Sequence, residues 1–248
     1  MTSFQARIAS SKTGNAGTRA RRHPPKKEGK PGGSQRDALA QETRERLLDA
    51  AEELFATHGL YGTTVRAIAG LAGVDTALIH YYFGTKRELF DTAFLRRSTV
   101  VNRERTESLK HYIAGHADSL TVEGAIEAFL EPLLTRERFD DPGWRNHCAL
   151  AAQISNTPEW GGEVMTEHYD GTVRDLLEVL KRALPGAEEA DIYWCYQFLS
   201  GSLMSLLAAT GRIDRLSGGL CRSGDVETFK PRLIQYAASG ARAVCGLI

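Results

Sequence analysis

Residues 63–86 read TTVRAIAGLAGVDTALIHYYFGTK. The apolar residues after Thr63-Thr64 recur at helical spacing, which predicts a short helix that ends at a Gly73-Val74 turn. Asp75 or Thr76 is suited to cap a second helix, which we expect to reach Tyr82 or Phe83 before Gly84-Thr85 breaks it. Two short helices joined by a glycine-containing turn are typical of a helix-turn-helix arrangement.

Helical periodicity continues on both sides of this pair. Upstream, residues 36–57 form an amphipathic pattern that His58-Gly59 ends. Downstream, a fourth helix is predicted from Lys86, and further helical segments are predicted at about 121–136, 144–155, 160–184, 188–210 and 225–246. The predicted breaks are 140–143, Pro158, Pro185-Gly186 and 217–219. Because no alternating pattern indicates a strand, we predict an all-α fold, in which a three-helix helix-turn-helix domain precedes a larger helical domain.

The outward residues of the helix pair are suited to contact DNA. A recognition helix enters the major groove by its N-terminal end, and the N-terminus of the preceding helix can bind a phosphate. This predicts a contact set of eight residues: Thr64, Arg66, Thr76, Ala77, His80, Tyr81, Tyr82 and Lys86. Other interpretations are that Tyr82 and Phe83 are core aromatics and that His80 and Lys86 are merely solvated.

The same residues resemble the tetracycline-repressor (TetR) family of bacterial transcriptional regulators. The likeness runs from residues 43–55 through 59–69 and 72–74 to the HYYFGTK stretch at 80–86 and Glu88-Leu89. It covers about residues 36–95. Residues 140–248 more loosely resemble effector domains of a branch that includes regulators responding to fatty-acid-type ligands, through CALAAQ at 148–153 and RLSGG at 215–219.

This resemblance implies a DNA-binding domain followed by a domain that binds a small molecule and pairs through its last two helices. It implies that Arg66, Thr76, Ala77, His80 and Tyr81 face bases or nearby backbone, and that Thr64, Tyr82 and Lys86 hold phosphates. The chain departs from the family at two positions. Thr76 stands where many members have Lys or another polar residue, and Leu78 stands where they have Thr. The operator therefore cannot be deduced by analogy.

Residues 140–210 combine many aromatic side chains with few polar ones, as a mostly apolar ligand pocket does. The candidate ligand residues are Trp144, His147, Cys148, Gln153, Met165, His168, Trp194 and Phe198. The alternative is that these side chains only fill the core. Because no Lys or Arg lies between Arg145 and Arg174, a highly anionic ligand is disfavoured within that segment. We expect no metal, no cofactor and no catalysis, since the adjacent His147 and Cys148 point about 100° apart on a helix.

The net charge of zero hides two opposite blocks. The chain has 248 residues with 31 Lys+Arg and 31 Asp+Glu, but residues 1–35 contain eight bases and one acid. We predict that residues 1–35 are a disordered basic tail, either a DNA arm, a solvated extension or partly an artefact of the start site. Residues 36–85 would form the DNA-binding domain and residues 86–248 the effector-binding and dimerisation domain. Residues 36–90 hold six basic and eight acidic side chains, so the folded DNA-binding part of the chain is not basic overall.

The predicted function is a ligand-responsive repressor that a mostly apolar small molecule releases from a pseudo-palindromic operator. We expect a cytoplasmic homodimer with no membrane partner, because no apolar run could span a bilayer and four dispersed cysteines indicate reduced thiols. The predicted dimer surface combines Leu199, Leu203, Leu206 and Leu207 with Ile234, Ala237, Ala238, Ala241 and Val244. The alternatives are a helical module that contacts only proteins, an enzyme, or an activator instead of a repressor.

Overall fold

The computed structural model describes residues 33–158 and 160–247, and the predicted tail lies outside them except for its last three residues. The described residues form helices and no strands, which confirms the all-α prediction. The helices are α1 (Gly33–Gly62), α2 (Val65–Ala72), α3 (Thr76–Phe83), α4 (Lys86–Gly115), α5 (Val122–Leu130), α6 (Arg136–Asp140), α7 (Pro142–Ser155), α8 (Gly161–Ala183), α9 (Glu189–Leu207), α10 (Arg212–Leu216) and α11 (Val226–Val244).

The first three helices have the predicted order. The non-helical dihedral angles of Gly59 (φ 69°, ψ 176°) interrupt α1 at the predicted break. Thr64 caps α2, and Gly73 ends it in a left-handed conformation (φ 67°, ψ 37°), which glycine adopts without a steric penalty. Of the two predicted caps of α3, Asp75 is the one observed, since its carboxylate accepts the backbone N–H of Ala77 at 2.7 Å.

Helix α4 connects the small domain with the rest of the molecule. A capping box fixes its start, because Thr85 accepts the N–H of Glu88 while the Glu88 carboxylate accepts the N–H of Thr85. Gly84 must be glycine here, since its φ is 75° and a Cβ would lie 2.5 Å from Glu88 Oε2. The helix packs against α1, α5 and α8.

Three boundaries differ from the prediction. A break does lie within the predicted 140–143, between α6 and α7, but α7 already begins at Pro142 after the Asp141 cap. A proline costs nothing there, because the first helical N–H has no partner. The predicted 121–136 segment ends at Leu130, and α6 starts after the Thr135 cap. The five-residue α10 was not predicted, because its pattern is too short to show a period.

The core runs continuously from the small domain into the large one. Phe55 of α1 meets Phe90 of α4 edge to face at 5.1 Å, and α1 packs more extensively on α7 than on α2. In the large domain α9 packs on α11, with Cys195 beside the carbonyl of Ala241. Across residues 33–158 and 160–247, no helix has the length and apolar content that a bilayer crossing requires.

Candidate functional site

Helix α3 separates its residues cleanly into a buried and an exposed face. Ile79 and Phe83 are buried, whereas Thr76, Ala77, His80 and Tyr81 are exposed together on the other side. The Tyr81 ring is 79% exposed, which is unusual for so large an aromatic side chain unless a partner covers it. His80 is held at the end of the helix, with Nδ1 2.9 Å from the carbonyl oxygen of Gly84.

The two aromatic residues whose roles were left open differ in burial. Phe83 is buried, which confirms that it is a core aromatic residue, and the guanidinium of Arg44 lies 5.3 Å from its ring centroid. Tyr82 is half-buried and packs edge-on against Tyr81, with ring centroids 5.1 Å apart. The half-buried Tyr82 ring therefore packs between the core and the exposed Tyr81 ring.

The N-terminus of α2 brings together three predicted contact residues. Thr64 accepts the backbone N–H of Ala67 at 3.1 Å, and Arg66 is exposed one residue into the helix. Lys86, although 23 residues away in sequence, donates from Nζ to the carbonyl oxygen of Thr63 at 3.0 Å. An ammonium group thus lies beside the positive end of a helix, and both features attract an anion such as a phosphate.

Three of the six acidic residues of α1 form ion pairs with an arginine of α4. Arg96 contacts Glu45 at 3.0 Å, Asp49 at 2.8 Å and Glu52 at 2.7 Å. Glu52 is only 1% exposed and also bonds Arg97 at 2.9 Å. Two further acids bind backbone N–H groups at helix starts, since Asp75 caps α3 and Glu88 completes the capping box of α4. Five of the eight acids in residues 36–90 therefore have a partner within the chain.

In the large domain, the predicted ligand residues His147 and Cys148 are buried, and Trp144 is half-buried beside them. The Trp144 ring lies between two guanidinium groups, those of Arg97 at 5.1 Å and Arg138 at 4.0 Å from its centroid. His147 stacks on Phe94 at 5.4 Å and meets Trp144 edge to face at 5.8 Å.

The other predicted ligand residues lie elsewhere. Gln153 donates a hydrogen bond to the carbonyl of Ala56 and so ties α7 to α1, at a cavity of about 160 Å³ that Trp160 also lines. Met165 and His168 are half-buried on α8. Trp194 and Phe198 stack on each other at 6.0 Å on the exposed face of α9. The structure thus distributes the eight residues over several places and does not assemble them into one pocket.

Two family profiles match the chain, and together they cover about two thirds of it. The profile of bacterial regulatory proteins of the tetR family matches residues 47–93, and that of the tetracyclin repressor-like C-terminal domain matches residues 127–240. The chain belongs to the TetR family.

Curated relatives of the TetR family match over a short region. The chain is 43% identical to the transcriptional regulator HbdR of Aromatoleum sp. over 51 residues, or 21% of this chain and 22% of the relative. It is 46% identical to the regulator TtgR of Pseudomonas putida over 50 residues, or 20% of this chain and 24% of the relative. The match therefore spans less than a quarter of these relatives' length.

Solved structures of the TetR family share the fold over most of the chain. The fatty acid degradation regulator FadR from Bacillus halodurans has a TM-score of 0.56 at 17% identity, covering 81% of this chain and 96% of that one. A TetR-family regulator from Mesorhizobium loti has a TM-score of 0.53 at 16% identity, covering 83% and 97%. At this level of identity the likeness shows the common fold alone.

The two matched profiles describe TetR-family regulators, whose role is transcriptional control and not catalysis. His147 and Cys148 lie next to each other in the interior on α7. Burial lowers the pKa of His147 to about 3, helped by the nearby arginines, and burial raises the pKa of Cys148 to about 12. Both groups are therefore neutral near pH 7, and the pair provides neither a thiolate nor a protonatable base.

The predicted TetR dimer surface was wrong for most of its members. Leu199, Leu203, Leu207, Ile234, Ala238 and Ala241 are buried within the single chain, because α9 and α11 use these faces to pack on each other and on the core. The exposed large apolar side chains of these helices are Val244, which was predicted, and Tyr193, Trp194, Phe198 and Tyr236, which were not. Periodicity identified an apolar face on each helix but not the neighbour that covers it.

One group of interior polar residues was missed. Ser98, Asn102 and Arg105 recur at helical spacing on α4, and Ser98 and Arg105 are buried. The hydroxyl of Tyr169 donates to Ser98 at 2.9 Å, and Asn102 donates to the carbonyl of His168 at 2.7 Å. Extending the inward face of α4 beyond Phe94 by steps of three and four residues would have placed these side chains inside.

Proposed function

We propose that the chain is a ligand-responsive transcriptional repressor that a mostly apolar small molecule releases from a pseudo-palindromic operator. The observation that carries this proposal is the exposed face of α3 beside the α2 N-terminus and the Lys86 ammonium. We assign base or nearby backbone contacts to Arg66, Thr76, Ala77, His80 and Tyr81, and phosphate contacts to Thr64, Tyr82 and Lys86. The site of action would be the cytoplasm, where bacterial DNA lies.

The proposed division places the reading unit at residues 36–85 and the effector and dimerisation unit at 86–248. Several contacts cross this boundary, among them the Arg96–Glu52 ion pair and the Gln153–Ala56 hydrogen bond. A movement of α4 or α7 would therefore reorient α1 and, through the shared core, α3. An effector produces this movement only if it binds the two orientations with different affinity.

We propose a homodimer that pairs through α9 and α11. The exposed residues of α9 from Ala190 onward lie within one face and include no charged side chain: Ala190, Tyr193, Trp194, Gln197, Phe198, Gly201 and Ser205. A corresponding exposed stripe on α11 holds Tyr236, Ser239, Gly240, Ala243 and Val244. Glycines and small residues let helices approach closely, and the aromatic side chains supply the apolar area that a stable dimer needs. A two-fold dimer would present two α3 helices to successive major grooves about 34–36 Å apart.

The test is a gel-shift titration with DNA from upstream of the chain's own gene, compared with scrambled DNA. We expect Lys86→Ala to weaken binding to both DNAs similarly and to reduce the salt slope by about one, because the variant neutralises one phosphate fewer. Thr76→Ala should instead change the preference between the two DNAs. Lys110→Ala, an exposed lysine about 36 Å further along α4, is the matched control and should change neither.

The assignment of these roles fails if Thr76→Ala and Lys86→Ala reduce the sequence preference equally. A protein that binds neither DNA above the level of an unrelated control would instead support a module for protein contacts. Thermal melts of each variant separate a direct effect on DNA binding from a loss of folding, since Lys86 also bonds Thr63 within the chain.

A further inference from the structure

A buried arginine lies in the interior of the large domain without an acidic partner. Arg105 on α4 is 4% exposed, and its guanidinium carbon lies 4.2 Å from the ring centroid of Phe129. Its Nε donates to the Phe129 carbonyl at 3.0 Å, but its Nη2 is buried and makes no hydrogen bond. Among the described residues, no carboxylate lies within ion-pair distance of Arg105.

This arrangement is costly for the folded protein. An arginine stays protonated in proteins even though burial lowers the pKa of Arg105 from its usual value. A guanidinium that is removed from water without a counter-charge or a full set of acceptors is among the most unfavourable buried groups. The unpaired Nη2 calls for an acceptor, and an anion satisfies both the hydrogen bond and the charge.

The surroundings of Arg105 are polar and electropositive. Two more buried atoms near it lack hydrogen bonds, Oδ1 of Asn102 on the same helix and Nδ1 of His147 on α7. The positive charges of Arg105 and Arg138 both act on the Cys148 thiol and oppose the rise of its pKa. Cys148 in turn lines a cavity of about 50 Å³ together with Arg138, Arg145, Leu207 and Ala209, and Arg105 is not among the lining residues.

A cavity of this size has room for a headgroup of a few atoms. The two arginines of its lining suit a carboxylate, and its apolar residues suit the beginning of a hydrocarbon or aromatic body. The guanidinium of Arg105 offers the planar pair of donors that a carboxylate binds.

We propose that Arg105 binds the carboxylate of the effector, so that the effector class is an organic monoacid with an apolar body. The proposal rests on the proposed function as a ligand-responsive regulator and names the ligand chemistry of its large domain. It reverses the expectation that an anion is disfavoured there. That expectation considered only residues 145–174, whereas the basic group comes from α4.

The experiment measures ligand binding to the full chain without DNA, by thermal shift and isothermal titration. The probes are straight-chain carboxylates from butanoate to decanoate and benzoate, each compared with its uncharged primary amide. We expect at least one acid to raise the Tm of the native protein and to bind about tenfold tighter than its amide. Arg105→Met should abolish that preference while its ligand-free Tm stays equal to or above that of the native protein, because an unpaired buried charge is removed.

Arg103→Met removes an exposed arginine two residues away and should preserve the preference of the native protein. Arg105→Lys keeps the positive charge but lacks the planar pair of donors, so it should retain only part of the preference for the acid over its amide. The proposal is overturned if no acid binds better than its amide to the native protein, or if Arg105→Met keeps the preference. Should Arg105→Met fail to fold, the proposal is tested by comparing acid and amide binding to the native protein and to Arg105→Lys. An equal preference for the acid in both proteins then overturns it. Arg105-dependent binding of an acid that leaves operator affinity unchanged would uphold this inference and contradict the proposed function.

Discussion

His147 gives the most quantitative prediction, because its imidazole is buried and neutral. Burial lowers the pKa of His147 from 6.5 to about 3, and the nearby arginines, Arg97 first, contribute to the shift. Above about pH 6.5 the imidazole is neutral in both the folded and the unfolded chain. Below this pH the unfolded chain binds a proton that the folded protein does not accept until about pH 3, so the free energy of unfolding must fall as the pH falls.

The magnitude follows from the size of the pKa difference. Each pH unit in this window lowers the free energy of unfolding by up to about 1.4 kcal/mol, and the whole window by about 5 kcal/mol. At about pH 4 the loss due to His147 alone should be about 3 kcal/mol. His147→Phe removes this titration but keeps an aromatic ring against Phe94 and Trp144, so its cost near pH 7.5 should be about 1 kcal/mol or less.

The assay is urea unfolding of the native protein and His147→Phe at several pH values between about 4 and 7.5. We expect the variant to gain about 3 kcal/mol relative to the native protein as the pH falls across this range. His111→Phe, which removes an exposed histidine from α4, is the control and should follow the native curve. Parallel curves for the native protein and His147→Phe would refute a buried, neutral imidazole at this position.

Three further predictions test the turn, the dimer and the tail. Gly84→Ala should lower the free energy of unfolding by about 1–2 kcal/mol in urea unfolding, because its φ is 75° and the Cβ collides with a side chain, whereas Gly70→Ala, in open space within α2, should be neutral or stabilising. Gly201→Arg should yield monomers in sedimentation experiments without unfolding the chain, while Gly171→Arg, equally open but on α8, should leave the dimer intact. Deleting residues 1–35 should make the slope of log affinity against log salt shallower by about 0.9 for each phosphate that the tail neutralises, and an unchanged slope would exclude the tail from DNA.

The small domain could be predicted almost residue by residue because its signals are local. A threonine or aspartate that caps a helix, and a glycine at a positive φ, determine the backbone within a few residues of themselves. Thr64, Gly73, Asp75 and Gly84 each have that role in the structure. The short, dense pattern also limits which side of α3 can be buried, so Thr76 and its exposed neighbours could be assigned from the sequence.

The large domain could not be predicted to the same depth, because the neighbours of its helices come from distant parts of the chain. Trp194 and His147 each precede a buried cysteine on a helix, yet Trp194 is 56% exposed whereas His147 is buried against α4. Arg105 was overlooked because a charged residue is expected on the surface. Only the continuation of the α4 face shows that it is inside.

The structure also shows where acidic and basic side chains of this neutral chain meet. Three of the six carboxylates of α1 contact Arg96, and one of them, the buried Glu52, also contacts Arg97. The same Arg97 lies over the Trp144 ring, which packs edge to face on His147. Acidic side chains of the DNA-binding domain are therefore paired with arginines of the large domain, at the boundary between the two domains.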